Sequence, residues 1–463
     1  MGAARRIAIV GGGITGLAAA WELRAAAVDG RAEVTLFEAS DRLGGTVATD
    51  RSSGHVLEMG PDSFVTRKPE TMALVREAGL EGSLIGVKNR RTYIYHAGRF
   101  HPMPPVSPLG IPASLRSMAG SSLFSPWGKM RAAWDLLAPR SGVVPGGPDQ
   151  AVGPFLRRRL GKEVVERLVA PMAGGVHLTD IDLLSLQSVY PQLVRLENEY
   201  RSLMVATVRE SRKRTAATGT SPFMTLREGL SSLVNTLGTR LPPVTLRTKT
   251  GVTALSGTGA ATRITTSAGD TAEFDRVILA VPPHASARMV QGARPSLAGL
   301  LTQVRYSPVI AVGLVYPEDV VPPSLDGNGF MVPQSEGVRI SGATFLSRKW
   351  GYPGEGPGVS MRVYLSRGLS SDGPGPSTSE VLDVVRRDLR TTLGVEQPPT
   401  FAKVFPHSRA MPQYRVGHLD WMRSVAEAAA SVPGLQLAGA AFGGVGLSDC
   451  IRSGRDAARA SLA

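Results

Sequence analysis

Residues 6–24 read RIAIVGGGITGLAAAWELR, and this stretch decides the fold. The apolar run at residues 7–10 predicts a buried strand of a parallel sheet, and the residues after Gly16 predict a helix. Between them lies a Gly-x-Gly-x-x-Gly turn made by Gly11, Gly13 and Gly16. In such a turn the first glycine allows the tight bend, the second lets a pyrophosphate approach the backbone, and the third lets helix and strand pack closely.

A second strand, at residues 33–38, completes a β-α-β unit and ends at Glu38. An acid in this position accepts hydrogen bonds from ribose hydroxyls, while the free N–H groups at the start of the helix attract phosphate. Arg42, Gly44 and Gly45 follow in an Asp-Arg-x-Gly-Gly segment that offers further donors to a diphosphate. The two motifs together predict a dinucleotide-binding unit.

Composition and charge exclude several classes of protein. The 463 residues include 52 Lys and Arg against 38 Asp and Glu, a net charge of +14. The basic residues are scattered and form no zinc finger, RNA-binding signature or basic arm, so we expect no nucleic acid partner. A single cysteine, Cys450, excludes an intramolecular disulfide, and the seven histidines lack metal-ligand spacing, so we expect no metal. Without a signal peptide or a bilayer-length apolar stretch, the sequence predicts a cytoplasmic protein with at most peripheral membrane contact.

The rest of the chain alternates helical and strand patterns. Residues from about 100 to 215 predict a mostly helical segment, and a further helix is expected near residues 379–393. The strand-like stretches are 244–255, 262–266, 274–280, 310–316 and 359–365. They predict a mixed sheet covered by helix in the second half of the chain.

The glycine turn, Glu38 and the Arg42-x-Gly44-Gly45 segment resemble the N-terminus of FAD-dependent oxidoreductases with a glutathione-reductase-type flavin domain. Further motifs resemble one family among them, the porphyrinogen oxidases of haem biosynthesis. They lie at residues 58–64, 67–68, 101–104, 201–203, 411–414, 417–418 and 439–451. The last, GAAFGGVGLSDCI, is the most specific, and the order of the motifs is collinear along essentially the whole chain.

The resemblance implies an α/β fold with a glutathione-reductase/p-hydroxybenzoate-hydroxylase-like FAD domain, a mixed-sheet substrate domain and a mostly helical insertion. The FAD domain is expected at residues 1–95, 222–285 and 408–463. The helical insertion is expected at residues 96–221 and the substrate domain at 286–407. FAD is expected to be bound non-covalently, because no cysteine or histidine stands in a recognisable position for a flavin linkage.

The same resemblance implies the binding residues. Those for FAD are Gly11, Gly12, Gly13, Ile14, Thr15, Gly16, Glu38, Ala39, Arg42, Gly44, Gly45, Thr46, Gly60, Pro61, Asp62, Ser63, Val252, Gly444, Val445, Gly446 and Leu447. Of these, Val252 would meet the adenine, and the glycines before Leu447 would bring a helix N-terminus to the flavin ring. Those for substrate are Lys68, Arg91, Thr92 and Val176. No catalytic side chain is assigned, because the flavin itself accepts the hydride.

Within the family the chain is most similar to the soluble type of Gram-positive bacteria, which converts coproporphyrinogen III to coproporphyrin III. The resemblance implies that molecular oxygen reoxidises the flavin with release of hydrogen peroxide, and that a ferrochelatase-type enzyme receives the product. Thr92 is small where many membrane-attached members carry an arginine, which disfavours protoporphyrinogen IX as substrate. Protoporphyrinogen IX oxidase stays the alternative, followed by a polyene desaturase or amine oxidase and by a non-catalytic porphyrin- or flavin-binding protein.

Overall fold

The computed structural model describes residues 4–105, 110–112, 115–214, 221–257, 261–322, 324–370 and 375–463. Its centre is a five-stranded parallel sheet with strand Arg5–Val10 in the middle. The sheet contains, in spatial order, Thr245–Arg247, Ala32–Phe37, Arg5–Val10, Arg276–Leu279 and Leu435–Leu437. The predicted β-α-β unit is confirmed, because helix Ile14–Val28 connects the first two strands of the chain.

The apolar run of the first strand is buried because helices cover both faces of the sheet. Ile7 and Ile9 pack in one core cluster with helix Ile14–Val28, and Ala8 and Val10 pack in a second cluster on the other face. This double burial explains why the strand reads as a continuous apolar run rather than as an alternation.

A three-stranded antiparallel sheet stands beside the parallel one and consists of Val252–Ser256, Thr262–Thr266 and Thr271–Phe274. The prediction of one strand over residues 244–255 was wrong. Lys249 has a φ of +53°, in the left-handed region, so the chain turns there and its two halves enter different sheets. Residues 274–280 divide in the same way, because Phe274 ends the antiparallel strand and the next strand begins at Arg276.

The second large sheet is mixed and has seven strands. Their spatial order is Phe401–Pro412, Tyr306–Tyr316, Val359–Leu365, Ile340–Phe345, Gly329–Met331, Tyr93–His96 and Arg99–Pro102. Helix Thr378–Leu393 packs on one face through Val381, Val385 and Leu389, which confirms the predicted mixed sheet covered by helix. A capping box between Ser377 and Glu380 starts this helix.

Residues 115–214 are mostly helical, as predicted. Their helices are Leu115–Ala119, Pro126–Ala133, Val152–Leu160, Lys162–Val164, Ala170–His177, Leu186–Val189, Pro191–Tyr200 and Leu203–Arg214, with a π-helical turn at Val165–Val169 and a 3₁₀ turn at Trp134–Leu136. They surround a core of their own. Among the described residues, no helix is long and apolar enough to cross a bilayer.

The remaining elements connect these parts. The strands are Thr49–Asp50 paired with Leu57–Glu58, and Phe223–Leu226 between Phe64–Val65 and Leu84–Gly86. The helices are Pro69–Glu77, Ser231–Thr239, Pro283–Val290, Pro295–Leu301, Leu346–Trp350, His418–Ala430, Ala440–Gly443 and Leu447–Leu462, with 3₁₀ turns at Glu81–Ser83, Glu318–Val320 and Gln334–Glu336. The α/β class is confirmed. The division into three domains stays a prediction, and strands Tyr93–His96 and Arg99–Pro102, on either side of its boundary at residue 95, pair with each other.

A buried ionic cluster stabilises the helical segment. The guanidinium of Arg159 is fully buried, and its Nε lies 2.8 Å from a carboxylate oxygen of Glu197, which is also fully buried. A second carboxylate, that of Asp135, lies 3.4 Å from Arg159 and accepts a 2.6 Å hydrogen bond from Ser202. Both carboxylates are deprived of water and need a charge partner. Arg159 serves Asp135, whereas Glu197 also pairs with the partly exposed Arg158.

We therefore expect Arg159→Met to lower the free energy of unfolding by about 3–5 kcal/mol, since it takes the buried cation away from Asp135 and leaves Glu197 with Arg158 alone. Urea denaturation followed by circular dichroism measures the change. Arg195→Met is the matched control, because Arg195 is exposed and pairs only with exposed Glu199, and it should cost less than about 1 kcal/mol. Equal effects of the two substitutions would contradict the interpretation of the cluster.

Candidate functional site

The glycine turn presents an uncapped helix N-terminus to open space. Gly11 has a φ of +108°, and a Cβ there would lie 2.7 Å from the carbonyl oxygen of Ala280. A Cβ on Gly16 would lie 1.9 Å from the carbonyl oxygen of Gly11, so both positions exclude a side chain. At Gly13, in contrast, a Cβ would meet nothing within 4 Å, and Gly13 as N-cap supplies no side chain to the helix. The first-turn N–H groups of Ile14 and Thr15 therefore face room for an anion, which fits a diphosphate.

Glu38 lies beside this turn at the carboxyl end of the second strand. One carboxylate oxygen accepts a 2.7 Å hydrogen bond from the N–H of Gly12, and the other accepts the N–H and the hydroxyl of Ser40 at 2.8 and 2.7 Å. A carboxylate has about four acceptor sites, so one is left for a ribose hydroxyl. The adjacent Ala39 is exposed.

The segment from Arg42 to Thr46 lies against the turn. The N–H of Gly44 donates to the carbonyl oxygen of Gly12 at 2.8 Å, and a Cβ on Gly45 would lie 3.3 Å from the Cα of Gly13. The guanidinium of Arg42 donates to the carbonyl oxygens of Gly45 and Val47, at 2.5 and 3.3 Å. In this structure Arg42 holds its own loop in place, and its expected donation to the diphosphate stays a prediction.

The glycine turn, Glu38 and the segment Arg42–Thr46 together form what we call the cofactor region. Residues Gly60–Ser63 connect it to the seven-stranded sheet. Arg362, in strand Val359–Leu365, donates to the carbonyl oxygens of Glu58 and Gly60 at 3.0 and 2.8 Å. Asp62 forms ion pairs with Lys349 at 2.6 Å and with Arg362 at 3.3 Å. Burial alone would raise the pKa of Asp62, but the charges of Lys349 and Arg362 outweigh it and hold the pKa well below its usual range.

Sequence analysis missed this network. Arg362 and Lys349 stand about 300 positions away from the segment that they bind, so no local pattern connects them. The one available signal was a lone arginine in the otherwise mostly apolar run at residues 359–365. Pro61, between the bonded residues, is partly buried.

The C-terminal glycine-rich segment brings a second helix N-terminus to the same region. Helix Leu447–Leu462 runs parallel to helix Ile14–Val28, because Gly454 contacts Thr15 at one end and Arg459 pairs with Glu22 at the other. Its N-cap, Gly446, supplies no side-chain hydrogen bond, and the partly buried Val445 precedes it. Two parallel helices with uncapped N-termini fit an anionic cofactor that spans both.

Asp449 in the first turn of this helix binds Lys68. The two carboxylate oxygens lie 2.6 and 2.5 Å from the Lys68 ammonium, and Arg452 also donates to the carboxylate at 2.7 Å. The Lys68 side chain is about a third exposed, and the ammonium has three donors, so one remains for another ligand. The structure thus places Lys68 at the tail segment of the cofactor region.

A cleft of about 450 Å³ lies between the helical segment and the seven-stranded sheet. One wall is formed by helix Ala170–His177 and the turn after it, and the other contains Ser341, Ser366 and Arg367. The expected substrate residue Val176 lies on this helix with 56% of its surface exposed.

Other expected binding residues lie elsewhere. Among the described residues that line the cleft, none of Val176, Arg91 and Thr92 is present. Arg91 forms an exposed ion pair with Asp326, and the hydroxyl of Thr92 donates to Asn328 at 2.8 Å. Val252 is buried in the core, so its side chain contributes to packing, and backbone contact with adenine stays a prediction.

Residues 14–462 match the family of flavin-containing amine oxidoreductases. The coproporphyrinogen III oxidase of Bacillus subtilis is 34% identical over 99% of this chain and 98% of its own length. That of Staphylococcus aureus is 32% identical, with 99% of both chains covered. The chloroplastic protoporphyrinogen oxidase 1 of Arabidopsis thaliana is 28% identical over 97% of this chain and 86% of its own length.

The chain is also similar to solved structures of flavin-dependent oxidases. A candidate protoporphyrinogen oxidase from Exiguobacterium superposes with a TM-score of 0.85 at 31% identity and covers 99% of this chain and 98% of its own. A putrescine oxidase variant superposes with a TM-score of 0.71 at 18% identity, with 98% of both chains covered, which shows a shared fold.

The contrast between Gly13 and Gly16 gives a test of the cofactor site. Gly13→Val should yield a folded protein that retains no FAD, because the Cβ at this position meets no protein atom within 4 Å and the side chain enters the open space in front of the helix. Its apoprotein should melt within about 2 °C of wild-type apoprotein. Gly16→Val should instead destabilise the apoprotein by about 3 kcal/mol, because it forces the Gly11 carbonyl to move. Flavin absorbance after gel filtration and thermal melting measure both. A Gly13→Val protein that holds stoichiometric FAD would place the diphosphate elsewhere.

The buried carboxyl group of Glu58 predicts how the stability of the fold depends on pH. Burial raises the pKa of Glu58 to about 7, although Leu230 and Thr49 donate hydrogen bonds to it. The folded state therefore holds a proton that the unfolded state loses near pH 4.5, and stability falls as pH rises from about 4.5 to 7. Glu58→Gln abolishes this loss, so its apoprotein should gain up to about 3 kcal/mol on wild type between pH 5 and 8.

The control for this pH series is Glu163→Gln. Burial alone would raise the pKa of Glu163, but hydrogen bonds from Ser125 and the charge of Arg167 hold it below its usual range. Glu163 thus stabilises the fold at neutral pH and less in acid, so Glu163→Gln should lose stability relative to wild type as pH rises. Urea midpoints at several pH values measure both variants. If both variants gained stability relative to wild type as pH rises, or both lost it, the raised pKa of Glu58 would be refuted.

Proposed function

This chain belongs to the flavin-containing amine oxidoreductase family and is an FAD-dependent oxidoreductase, and from this premise we propose that it oxidises coproporphyrinogen III to coproporphyrin III in haem biosynthesis. The observation that carries the proposal is identity of 32–34% from end to end with two enzymes named for this reaction. The open diphosphate cradle at Gly13 supports it, because the cofactor is necessary for the chemistry.

The reaction removes six hydrogens from the substrate in three two-electron steps. When bound, FAD supplies the acceptor for these electron pairs. With molecular oxygen as final oxidant, one porphyrinogen and three O₂ give one porphyrin and three H₂O₂. The protein needs no nucleophile for these steps, and its residues bind and orient the two ring systems.

We assign the expected cofactor residues to parts of FAD. The turn Gly11–Gly16 and the segment Arg42–Thr46 would hold the diphosphate, Glu38 and Ala39 the ribose, and Val252 the adenine. The segments Gly60–Ser63 and Gly444–Leu447 would lie at the flavin ring. In that arrangement the second segment would bring positive helix-dipole potential near a ring that gains negative charge on reduction.

Charge and space support substrate binding between Lys68 and the cleft. Coproporphyrinogen carries four propionates and protoporphyrinogen two, so the former needs more cationic donors. Lys68 keeps one free N–H donor beside the tail of the cofactor region, and Val176 lies on helix Ala170–His177, of which Gly174 and Gly175 line the cleft. Arg91 and Thr92 lie together at the edge of the seven-stranded sheet, where Arg91 offers an exposed guanidinium near the surface.

The proposal also covers the oxidant, the recipient of the product and the cellular location of the protein. Oxygen is proposed as the oxidant and a ferrochelatase-type enzyme as the recipient of the product, with FAD held non-covalently in a cytoplasmic protein. Protoporphyrinogen IX is the second candidate substrate, favoured by the name of the Exiguobacterium protein at 31% identity.

A side-by-side assay of both porphyrinogens tests the proposal. We expect a higher kcat/KM for coproporphyrinogen III, with flavin absorbance bleached by substrate in the absence of oxygen and hydrogen peroxide formed in its presence. Lys68→Ala should raise the KM for coproporphyrinogen III about tenfold and that for protoporphyrinogen IX less, because a charge-assisted hydrogen bond contributes roughly 1.5–3 kcal/mol.

Two controls separate substrate binding from cofactor positioning. Lys68→Arg keeps the cation and should retain most of the preference, and Lys88→Ala removes an exposed lysine that binds only the carbonyl of Gly351. FAD content of Lys68→Ala shows whether the Asp449 contact is needed to hold the cofactor. A preference for protoporphyrinogen IX would overturn the substrate while leaving the FAD-dependent oxidoreductase in place.

A further inference from the structure

Four aromatic rings stack in series beside the glycine-rich residues 439–446, which we call the tail segment. The ring centroids of Tyr414 and His418 lie 3.9 Å apart, those of His418 and Trp421 5.0 Å, and those of Trp421 and Phe442 5.7 Å. The interplanar angles are 19°, 29° and 16°, so each contact is a stacked one. Phe442 belongs to the tail segment itself, and we call the other three rings the aromatic clamp.

The aromatic clamp also binds the backbone of the tail segment. The hydroxyl of Tyr414 donates to the carbonyl oxygen of Ala440 at 2.6 Å and accepts the N–H of Gly444 at 2.9 Å. The Nε2 of His418 lies 3.1 Å from the carbonyl oxygen of Ala441. Burial lowers the pKa of His418 to about 4, so its ring is neutral at pH 7 and donates this bond through Nε2–H. Both side chains are buried, so water does not compete for these bonds.

The tail segment needs such contacts because its own sequence does little to fix its conformation. Four of its eight residues are glycines, and glycine loses more backbone entropy on ordering than any other residue. Gly439 and Gly444 have φ values of +126° and +117°, in a region that favours glycine. The tail segment ends at Gly446, the N-cap of helix Leu447–Leu462. Contacts to residues 440–444 therefore determine where the N-terminus of this helix lies.

The aromatic clamp is anchored to parts of the protein other than the tail segment. The N–H of Ser185, in the helical segment, donates to the carbonyl oxygen of Tyr414 at 2.8 Å. The indole N–H of Trp421, in helix His418–Ala430, donates to the carbonyl oxygen of Leu300 at 2.8 Å. The clamp is therefore a fixed support, and the tail segment is held against it.

We propose that Tyr414 and His418 are positioning residues for the cofactor, which hold the tail segment so that the N-terminus of helix Leu447–Leu462 stays against the flavin ring. The inference rests on the proposed function, which puts residues 444–447 at the flavin. It gives a role to the motifs at residues 411–414 and 417–418, which the proposed reaction does not use. A reduced flavin carries more negative charge, so a helix N-terminus held beside it stabilises the reduced form more than the oxidised form. The clamp thereby raises the two-electron reduction potential of bound FAD.

The reduction potential of the FAD-loaded protein tests the proposal. Tyr414→Phe keeps the stacked ring and removes both hydrogen bonds to the tail segment. We expect it to weaken the binding of reduced FAD about tenfold more than that of oxidised FAD, because the freed segment no longer fixes the helix N-terminus. For a two-electron couple this ratio corresponds to a potential about 30 mV lower. Anaerobic equilibration with a reference dye measures the potential without any porphyrinogen.

Tyr95→Phe is the matched control for the loss of a buried hydroxyl. Tyr95 and Tyr414 are both 7% exposed, and Tyr95 donates to the carbonyl oxygen of Thr391 at 3.1 Å, between the seven-stranded sheet and helix Thr378–Leu393. We expect the two variants to lose a similar amount of thermal stability, and only Tyr414→Phe to change the potential.

A second pair of variants gives the same test without changing Tyr414. His418→Phe keeps an aromatic ring in the stack but loses the donor to Ala441, so it should lower the potential. His418→Gln keeps an N–H donor at a similar distance from the backbone and should restore most of the wild-type potential.

Three outcomes would overturn the proposal. They are equal weakening of reduced and oxidised FAD in Tyr414→Phe, the same change of potential in Tyr95→Phe, and a potential that His418→Phe leaves unchanged. Because the potential is measured without porphyrinogen, a chain that prefers another substrate would still show the shift. An unchanged potential would likewise leave the result of the porphyrinogen assay standing, so the two proposals fail separately.

Discussion

The close contact between the first and the last helix of the described chain is the constraint on which the site depends. A Cβ on Gly454 would lie 2.1 Å from the carbonyl oxygen of Thr15, so the two backbones approach as only glycine allows. Because the helices run parallel, this contact aligns both N-termini toward one side of the parallel sheet. The diphosphate cradle at Gly13 and the tail segment before Leu447 are therefore neighbours, although more than 400 residues separate them. The positive ends of two helix dipoles thus point toward the same region.

A second set of contacts connects the cofactor region to the seven-stranded sheet. Arg362 reaches from that sheet to the carbonyl oxygens of Glu58 and Gly60, and Asp62 reaches back to Lys349. The network is fully or nearly buried, so each charge depends on its partner rather than on water. The seven-stranded sheet and the segment Gly60–Ser63 are thus joined by one set of buried contacts, so a substitution at Arg362 or Lys349 removes a partner of that segment.

Local patterns in the sequence predicted the parts of the fold that local physics determines. A few neighbouring residues suffice to predict the strand at residues 7–10, the glycine turn and the helix after Ser377. The structure contains all three. The break at Lys249 was missed because β-branched threonines stand on both sides of it, although Lys249 and Gly251 interrupt the apolar pattern there. The pairs Lys68–Asp449 and Gly60–Arg362 were missed for another reason: periodicity reports which side of an element is buried, but not which distant element covers it. The binding roles of the expected residues stay predictions for the same reason.

The helix contact at Gly454 also sets an order of events during synthesis. Strand Arg5–Val10 and helix Ile14–Val28 leave the ribosome about 400 residues before strand Leu435–Leu437 and helix Leu447–Leu462, which complete their sheet and cover them. At about 5–20 residues per second, the nascent glycine turn waits roughly 20–90 s for these partners. The glycine turn is therefore covered by all its partners only after residue 462 has been synthesised, and until then the apolar face of the first helix depends on transient cover from the rest of the nascent chain.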